Sequence, residues 1–169
     1  DQAVAALLHD TVEDCGGAPV LENITARFGA EVAEIVASVS DTLTGRPKPP
    51  WLERKRRYLA HLQAASEKSL LVTAADKLHN ARATLADYRA LGEQVWERFN
   101  PDRDQFLWYY QSVLAVLRTR LRTPITDELA RTVAEIEALA AGSLDTDHPL
   151  TPQPLDWSRL ATRPPAGQA

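Results

Sequence analysis

Residues 3–14 of the chain read AVAALLHDTVED. The apolar run predicts a first helix over residues 2–14, in which side chains four positions apart share a face, so that His9 pairs with Glu13 and Asp10 with Asp14. One face then ends in an imidazole and three carboxylates. Unpaired negative charge after an apolar turn is costly to bury, so we expect a cation there. Imidazole nitrogen and carboxylate oxygen are donors that suit Mn, Fe or Zn.

A second polar pair interrupts an apolar helix predicted over residues 67–90. Residues 72–80 read VTAADKLHN, which places Asp76 and Asn80 four positions apart. An Asp inside such a stripe is either a paired core carboxylate or a ligand. We place Lys77 and His79 on other faces of this helix and expect His79 to be a surface or packing residue.

The two stretches together resemble the HD-domain metal-dependent phosphohydrolases and, within them, the hydrolase domain of the RelA/SpoT alarmone enzymes. Further matching segments are FGAEV at residues 28–32, VSD at 39–41 and LERKR at 52–56. The segments come in the order typical of the family and cover residues 3–85. The Glu13-Asp14 pair after His9-Asp10 distinguishes this branch from other HD proteins. The resemblance implies an all-α helical bundle, which agrees with the lack of any alternating strand pattern.

The resemblance also implies a role for each polar residue. His9, Asp10 and Asp76 would be metal ligands, with Mn as the preferred metal. Glu13 and Asp14 would orient or deprotonate the attacking water, and Asn80 would hold the ribose or a ligand. The implied reaction is removal of the 3′-pyrophosphate of guanosine tetra- or pentaphosphate, a small-molecule nucleotide, by a water that the metal activates.

In the related enzymes a further His ligand and a basic pair near the nucleobase lie on helices upstream of the His-Asp motif. This chain has only eight residues before His9. Either an N-terminal segment is missing or the protein is a degenerate relative, and we expect the first because the rest of the motif is intact. We therefore assign residues 1–141 to an N-terminally incomplete HD-type domain. Residues 142–169 are expected to form a Pro-rich, poorly ordered tail.

Six Lys and Arg residues lie between residues 46 and 57. They form either a solvated face that pairs with Glu31 or Glu53, or a surface that contacts phosphates. Three prolines within residues 41–51 predict a loop there. The related hydrolases have a basic residue near this loop that faces the substrate phosphates, so Lys48 and Lys55 are the candidate phosphate contacts.

Three further helices are predicted from apolar spacing, over residues 21–28, 32–39 and 126–141. Their expected apolar positions are Leu21, Ile24 and Phe28 in the first, Val32, Ile35, Val36 and Val39 in the second, and Leu129, Val133, Ile136 and Leu139 in the last. A break is predicted at residues 96–101. An aromatic helix then runs from residue 106 to 121, and its rings are typical of a core. Because the related domains present an aromatic-bearing helix to the nucleotide, Tyr109 is also a candidate substrate contact.

Composition narrows the class of protein. The 169 residues are 44% hydrophobic and 25% charged, which suits one globular domain. A net charge of −4 does not favour binding to a nucleic-acid polymer, whose phosphates attract positively charged proteins. The single cysteine, Cys15, is expected to be buried or half-buried and agrees with a reducing cytoplasm. No stretch is long and apolar enough to predict a membrane span.

Two other functions remain open from the sequence. The uncertain basic positions leave room for a general HD nucleotidase or phosphodiesterase. The absent upstream ligand leaves room for a catalytically inactive HD module that only binds a nucleotide.

Overall fold

Helices make up all the regular secondary structure of residues 1–40 and 49–142, the residues that the computed structural model describes. The elements are α1 (Gln2–Leu8), α2 (Thr11–Cys15), α3 (Ala18–Phe28), α4 (Ala30–Val39), α5 (Trp51–Leu62), α6 (Glu67–Leu91), a 3-10 helix (Gly92–Arg98), α7 (Arg103–Arg120) and α8 (Pro124–Gly142). The prediction of an all-α fold is confirmed.

The longest of these helices, α6, lies at the centre of the bundle and confirms the helix predicted over residues 67–90. It contacts α1, α4, α7, α8 and the 3-10 helix. Its N-terminus is capped by the Ser66 hydroxyl, which accepts a hydrogen bond from the Ser69 amide at 3.2 Å. It ends at Gly92, whose φ of 60° lies in the left-handed region that favours glycine. Both ends of α6 are therefore specified locally.

Two groups of buried side chains meet on α6. The larger cluster joins α5, α6, the 3-10 helix, α7 and α8, and its fully buried members include Leu62, Leu70, Leu117, Leu129 and Ile136. The N-terminal cluster consists of Ala5, Val12, Ile24, Val32, Ala33, Ile35, Val36 and Val72. Because Val72 belongs to α6, this helix carries one wall of both clusters.

The predicted single helix over residues 2–14 is wrong, because it breaks at His9 and Asp10. Thr11 Oγ1 donates to the Leu8 carbonyl at 2.6 Å, and His9 Nδ1 donates to the Ala6 carbonyl at 2.8 Å. Such side-chain bonds compete with the helical hydrogen bonds of the backbone. Leu7, whose spacing fits the apolar face of the predicted helix, is 84% exposed.

The remaining elements follow the prediction with local differences. Helix α4 buries Val32, Ile35 and Val36 as expected, whereas Phe28 at the end of α3 is exposed. The last helix begins at Pro124, two residues earlier than predicted, because proline suits the first helical turn. Leu139 is 37% exposed and not part of the buried stripe.

Other expectations concern segments between and beyond these helices. The 3-10 helix occupies part of the predicted break near Trp96. Cys15, expected to be buried or half-buried, is exposed. Most of the predicted proline-rich loop, together with the C-terminal tail from residue 143, lies outside the described residues. Among the helices of residues 1–40 and 49–142, none combines the length and apolarity needed to cross a membrane.

Two leucines of α8 test this assignment of the core. Leu129→Ala removes a fully buried side chain and should lower the free energy of unfolding by about 2–5 kcal/mol. Leu139→Ala, the same change on the same helix, should lower it by less than about 1 kcal/mol because the side chain is already partly solvated. Urea denaturation followed by circular dichroism measures both values. Equal losses for the two variants would contradict the packing of α8 described here.

Candidate active site

The N-terminal cluster brings the two polar motifs together. Ala5 of α1 and Val72 of α6 are both buried in it. His9 follows Ala5 by four residues and Asp76 follows Val72 by four, so each lies one helical turn beyond an apolar anchor. The turn at His9 and the middle of α6 therefore meet at the edge of this cluster.

Two carboxylates converge on the imidazole of His9. Its Nε2 lies 2.9 Å from Asp10 Oδ2 and 3.3 Å from Asp76 Oδ1. Its Nδ1 donates to the Ala6 carbonyl, which fixes the ring and directs Nε2 to the carboxylates. The Asp76 side chain is only 14% exposed, whereas that of Asp10 is 65% exposed. The three predicted metal ligands thus lie together. Their arrangement is not the shared face of one continuous helix, because α1 ends before His9.

The charges at this point depend strongly on one another. Hydrogen bonds to Asp10 and then to Asp76 raise the pKa of His9 to about 10. Burial opposes ionisation of Asp76, but the hydrogen bond from His9 and the charge of Lys77 hold the pKa of this carboxyl well below its usual range. The Asp76 carboxylate is thus stabilised as an anion by His9 and Lys77, which contact it directly.

Lys77 is a partner of Asp76 that the sequence interpretation missed. We placed it on another face of α6, but its Nζ lies 2.6 Å from Asp76 Oδ2. The ammonium also lies over the ring of Tyr109, 5.5 Å from its centroid. A signal was available, because a buried acid followed directly by a lysine in an apolar helix has a potential counterion beside it.

Asn80 completes the contacts of Asp76. Its Nδ2 donates to Asp76 Oδ1 at 2.7 Å, across one turn of α6. The carboxylate is thus held by an imidazole, an ammonium and an amide. His79, between these residues in sequence, is exposed as predicted.

The side chains of His9, Asp10 and Asp76 carry nitrogen and oxygen atoms of the kind that bind divalent cations. Neighbouring ligands with bonds of about 2.1 Å lie about 3 Å apart in octahedral coordination, which agrees with the spacings around His9 Nε2. A neutral His9 that donates from Nδ1 offers its Nε2 lone pair to a metal. In the described part of the chain, no group of three or more His, Cys, Asp or Glu side chains is arranged to hold a metal ion. His9, Asp10 and Asp76, which we call the donor set, have the chemistry of metal ligands, and in this structure the imidazole contacts both carboxylates instead.

A cavity of about 460 Å³ is connected to this set through Asn80, which lines the cavity and contacts Asp76. It is lined by three predicted substrate contacts, Lys55, Asn80 and Tyr109. The Nζ of Lys55 lies 5.0 Å from the centroid of the Tyr109 ring. Tyr109 is buried, so it is both a core residue and a wall of the cavity. The fourth candidate, Lys48, lies outside the described residues.

The predicted catalytic pair lies on α2. Glu13 is half-buried and Asp14 is exposed. Burial raises the pKa of the Tyr58 phenol, and the charge of Lys77 opposes this shift. The catalytic role of Glu13 and Asp14 stays a prediction.

The basic cluster at the start of α5 was expected to form either a solvated face or a surface that contacts phosphates. Arg57 pairs with Glu53 on the exposed side of the helix, as expected for a solvated face. Glu31, the other expected partner, pairs with Lys68 of α6 instead. Lys55 faces the cavity, which agrees with a contact to substrate.

Comparisons with known proteins agree with this arrangement. Proteins called guanosine-3′,5′-bis(diphosphate) 3′-pyrophosphohydrolase MESH1 are similar to the chain over 78 residues, with 46% identity in Xenopus tropicalis and 44% in Homo sapiens. The match covers 46% of this chain and 40% of each relative, so the chain spans less than half the length of these relatives.

A solved structure and a family profile extend the likeness. The crystal structure of lmo0812 from Listeria monocytogenes EGD-e has a TM-score of 0.70 and 32% identity to this chain, and the match covers 80% of this chain and 86% of that one. The profile of the HD domain matches residues 1–101, more than half of the chain. The chain therefore belongs to the HD-domain family.

Proposed function

We propose that this chain carries the active site of a metal-dependent nucleotide phosphohydrolase that removes the 3′-pyrophosphate of guanosine tetra- or pentaphosphate. The observation that carries the proposal is the convergence of His9, Asp10 and Asp76, which Asn80 connects to a cavity lined by Lys55. The MESH1 relatives, named as guanosine-3′,5′-bis(diphosphate) 3′-pyrophosphohydrolases, support the choice of substrate.

His9, Asp10 and Asp76 would hold the metal, for which we propose Mn because one imidazole and two carboxylates suit it. When bound, the ion would activate a water molecule and neutralise charge on the phosphoryl oxygens. Glu13 and Asp14 are proposed to orient the attacking water and to accept its proton. The half-buried position of Glu13 favours it as the main proton acceptor.

The cavity has the size and chemistry of a nucleotide site. Its volume of about 460 Å³ lies within the usual range for small-molecule pockets, about 300–1,000 Å³. Aromatic rings of Trp51 and Tyr109 line it, and Lys55 supplies a positive charge for phosphates. Asn80 contacts Asp76 and also faces the cavity, so a nucleotide bound there would lie next to the metal ligands. Lys48 is proposed as a second phosphate contact.

The proposed reaction adds water across the 3′-phosphate ester. Guanosine tetraphosphate and water give GDP and pyrophosphate, and the water proton passes to the carboxylate of Glu13 or Asp14. The bond between phosphorus and the 3′ oxygen breaks, and the carboxyl group or solvent returns a proton to this oxygen, which leaves as the ribose hydroxyl.

The first test is turnover by the full-length protein. With Mn²⁺ and guanosine tetraphosphate, we expect release of GDP and pyrophosphate, measured by ion-exchange chromatography. Glu13→Gln should lower kcat by about 10²–10⁴-fold because the proton acceptor is lost. Glu22→Gln, the same change at an exposed position of α3, should leave kcat unchanged. Hydrolysis of other nucleotides without hydrolysis of this one would replace the proposal by a general HD nucleotidase.

A second test separates a hydrolase from a module that only binds nucleotide. Asp76→Ala should weaken Mn²⁺ binding more than about 100-fold and abolish turnover, because a ligand is lost. Asp104→Ala, an exposed acid on α7, is the matched control and should change neither. Isothermal titration calorimetry measures the metal and nucleotide affinities. Nucleotide affinity that needs no metal and survives Asp76→Ala, in a wild-type protein without turnover, would contradict catalysis.

A further inference from the structure

The two oxygens of the Asp76 carboxylate have different partners. Oδ1 faces Nε2 of His9 at 3.3 Å and accepts from Asn80 Nδ2 at 2.7 Å. Oδ2 contacts Nζ of Lys77 at 2.6 Å. The rotation of the carboxylate about its last bond is therefore fixed from both sides, and Oδ1 is the oxygen turned to the proposed metal position.

Lys77 is itself held in place. Its side chain is only 15% exposed, although lysine usually extends to solvent. The ammonium lies 5.5 Å from the centroid of the Tyr109 ring, within the distance of a cation–π contact. Tyr109 is buried and packs edge-on against Trp51, with 5.9 Å between ring centroids. The core thus presents a rigid aromatic wall that keeps the ammonium against Asp76.

The pair differs from the ion pairs on the surface of the bundle. Lys68 and Glu31 also form a contact, but both side chains are about half exposed, at 54% and 45%. Exposed pairs of this kind hold neither partner in a single geometry. The enclosed Lys77 and Asp76 side chains leave little room for another arrangement, so their contact determines orientation as well as charge.

We infer that Lys77 is a positioning residue, which orients the Asp76 carboxylate so that Oδ1 faces the metal together with His9 and Asp10. The inference rests on the proposed function, because it concerns the metal site of that reaction. A lysine that merely balanced charge would have the opposite effect on metal affinity, since a nearby ammonium repels a divalent cation.

Lys77→Met tests the inference, because methionine removes the charge and keeps an unbranched apolar chain. We expect the Kd for Mn²⁺, measured on the full-length protein without nucleotide by the EPR signal of unbound Mn²⁺, to rise by about 10–100-fold. At saturating Mn²⁺, kcat should fall while KM for the nucleotide stays within about twofold. Lys68→Met is the matched control and should change neither value, because that pair lies on the surface.

Lys77→Arg keeps the charge and serves if the methionine variant does not fold. A planar guanidinium cannot reproduce the point contact of an ammonium. We expect the Kd for Mn²⁺ to rise by about 3–10-fold. An unchanged Kd in Lys77→Arg, or an unchanged or lower Kd in Lys77→Met, would overturn the positioning role.

The outcomes separate this inference from the proposed function. If the wild-type protein binds Mn²⁺ but does not hydrolyse guanosine tetraphosphate, the proposed substrate is wrong and the loss of affinity in Lys77→Met still supports the positioning role. If the wild type hydrolyses the nucleotide and Lys77→Met binds Mn²⁺ as tightly as before, only the positioning role is wrong. A wild-type protein that does not bind Mn²⁺ would overturn both.

Discussion

The constraint on which the rest of the structure depends is the burial of one carboxylate, that of Asp76, in the central helix. An ionised side chain that is 14% exposed needs compensation by opposite charge and hydrogen bonds. His9, Lys77 and Asn80 supply it. His9 comes from a different part of the chain, so this requirement holds the end of α1 against α6. The helix break at His9 serves the same need, because it lets the imidazole and the Asp10 carboxylate turn to one point.

The sequence predicts those parts of the fold that depend on local pattern. The apolar spacing of α6, its length and the position of Asp76 within it could all be predicted, because a charged residue within an apolar helical pattern is visible in the sequence itself. A partner for Asp76 was expected from chemistry, since a single buried acid without a partner is unfavourable. That this partner would be the His9-Asp10 motif was implied by the resemblance to the HD-domain phosphohydrolases. The all-α class and the helices α3, α4 and α8 follow from the same kind of signal.

What the sequence did not predict depends on tertiary contacts. Leu7, Phe28 and Leu139 have the spacing of buried residues, but the helices of residues 1–40 and 49–142 leave them partly or largely exposed. The break after Leu8 arises from side-chain bonds of His9 and Thr11 to backbone carbonyls, which helical spacing does not reveal. Lys77 was placed on a solvent face because its direction is set by the ring of Tyr109, a residue more than thirty positions away in the sequence. The partners of a charged side chain were thus harder to predict than its location.

The meeting of two hydrophobic clusters on α6 has a consequence for heat inactivation. In the described part of the chain, the turn with His9 and Asp10 packs on the small N-terminal cluster and not on the larger one, whereas Asp76 belongs to a helix that both clusters hold. Subglobal opening of the weaker unit would carry two donors away from the third while α5 to α8 stay folded. Warming is therefore expected to separate His9 and Asp10 from Asp76 at a temperature below the cooperative melting of the bundle. Cooling would bring the three side chains together again without refolding of the whole chain.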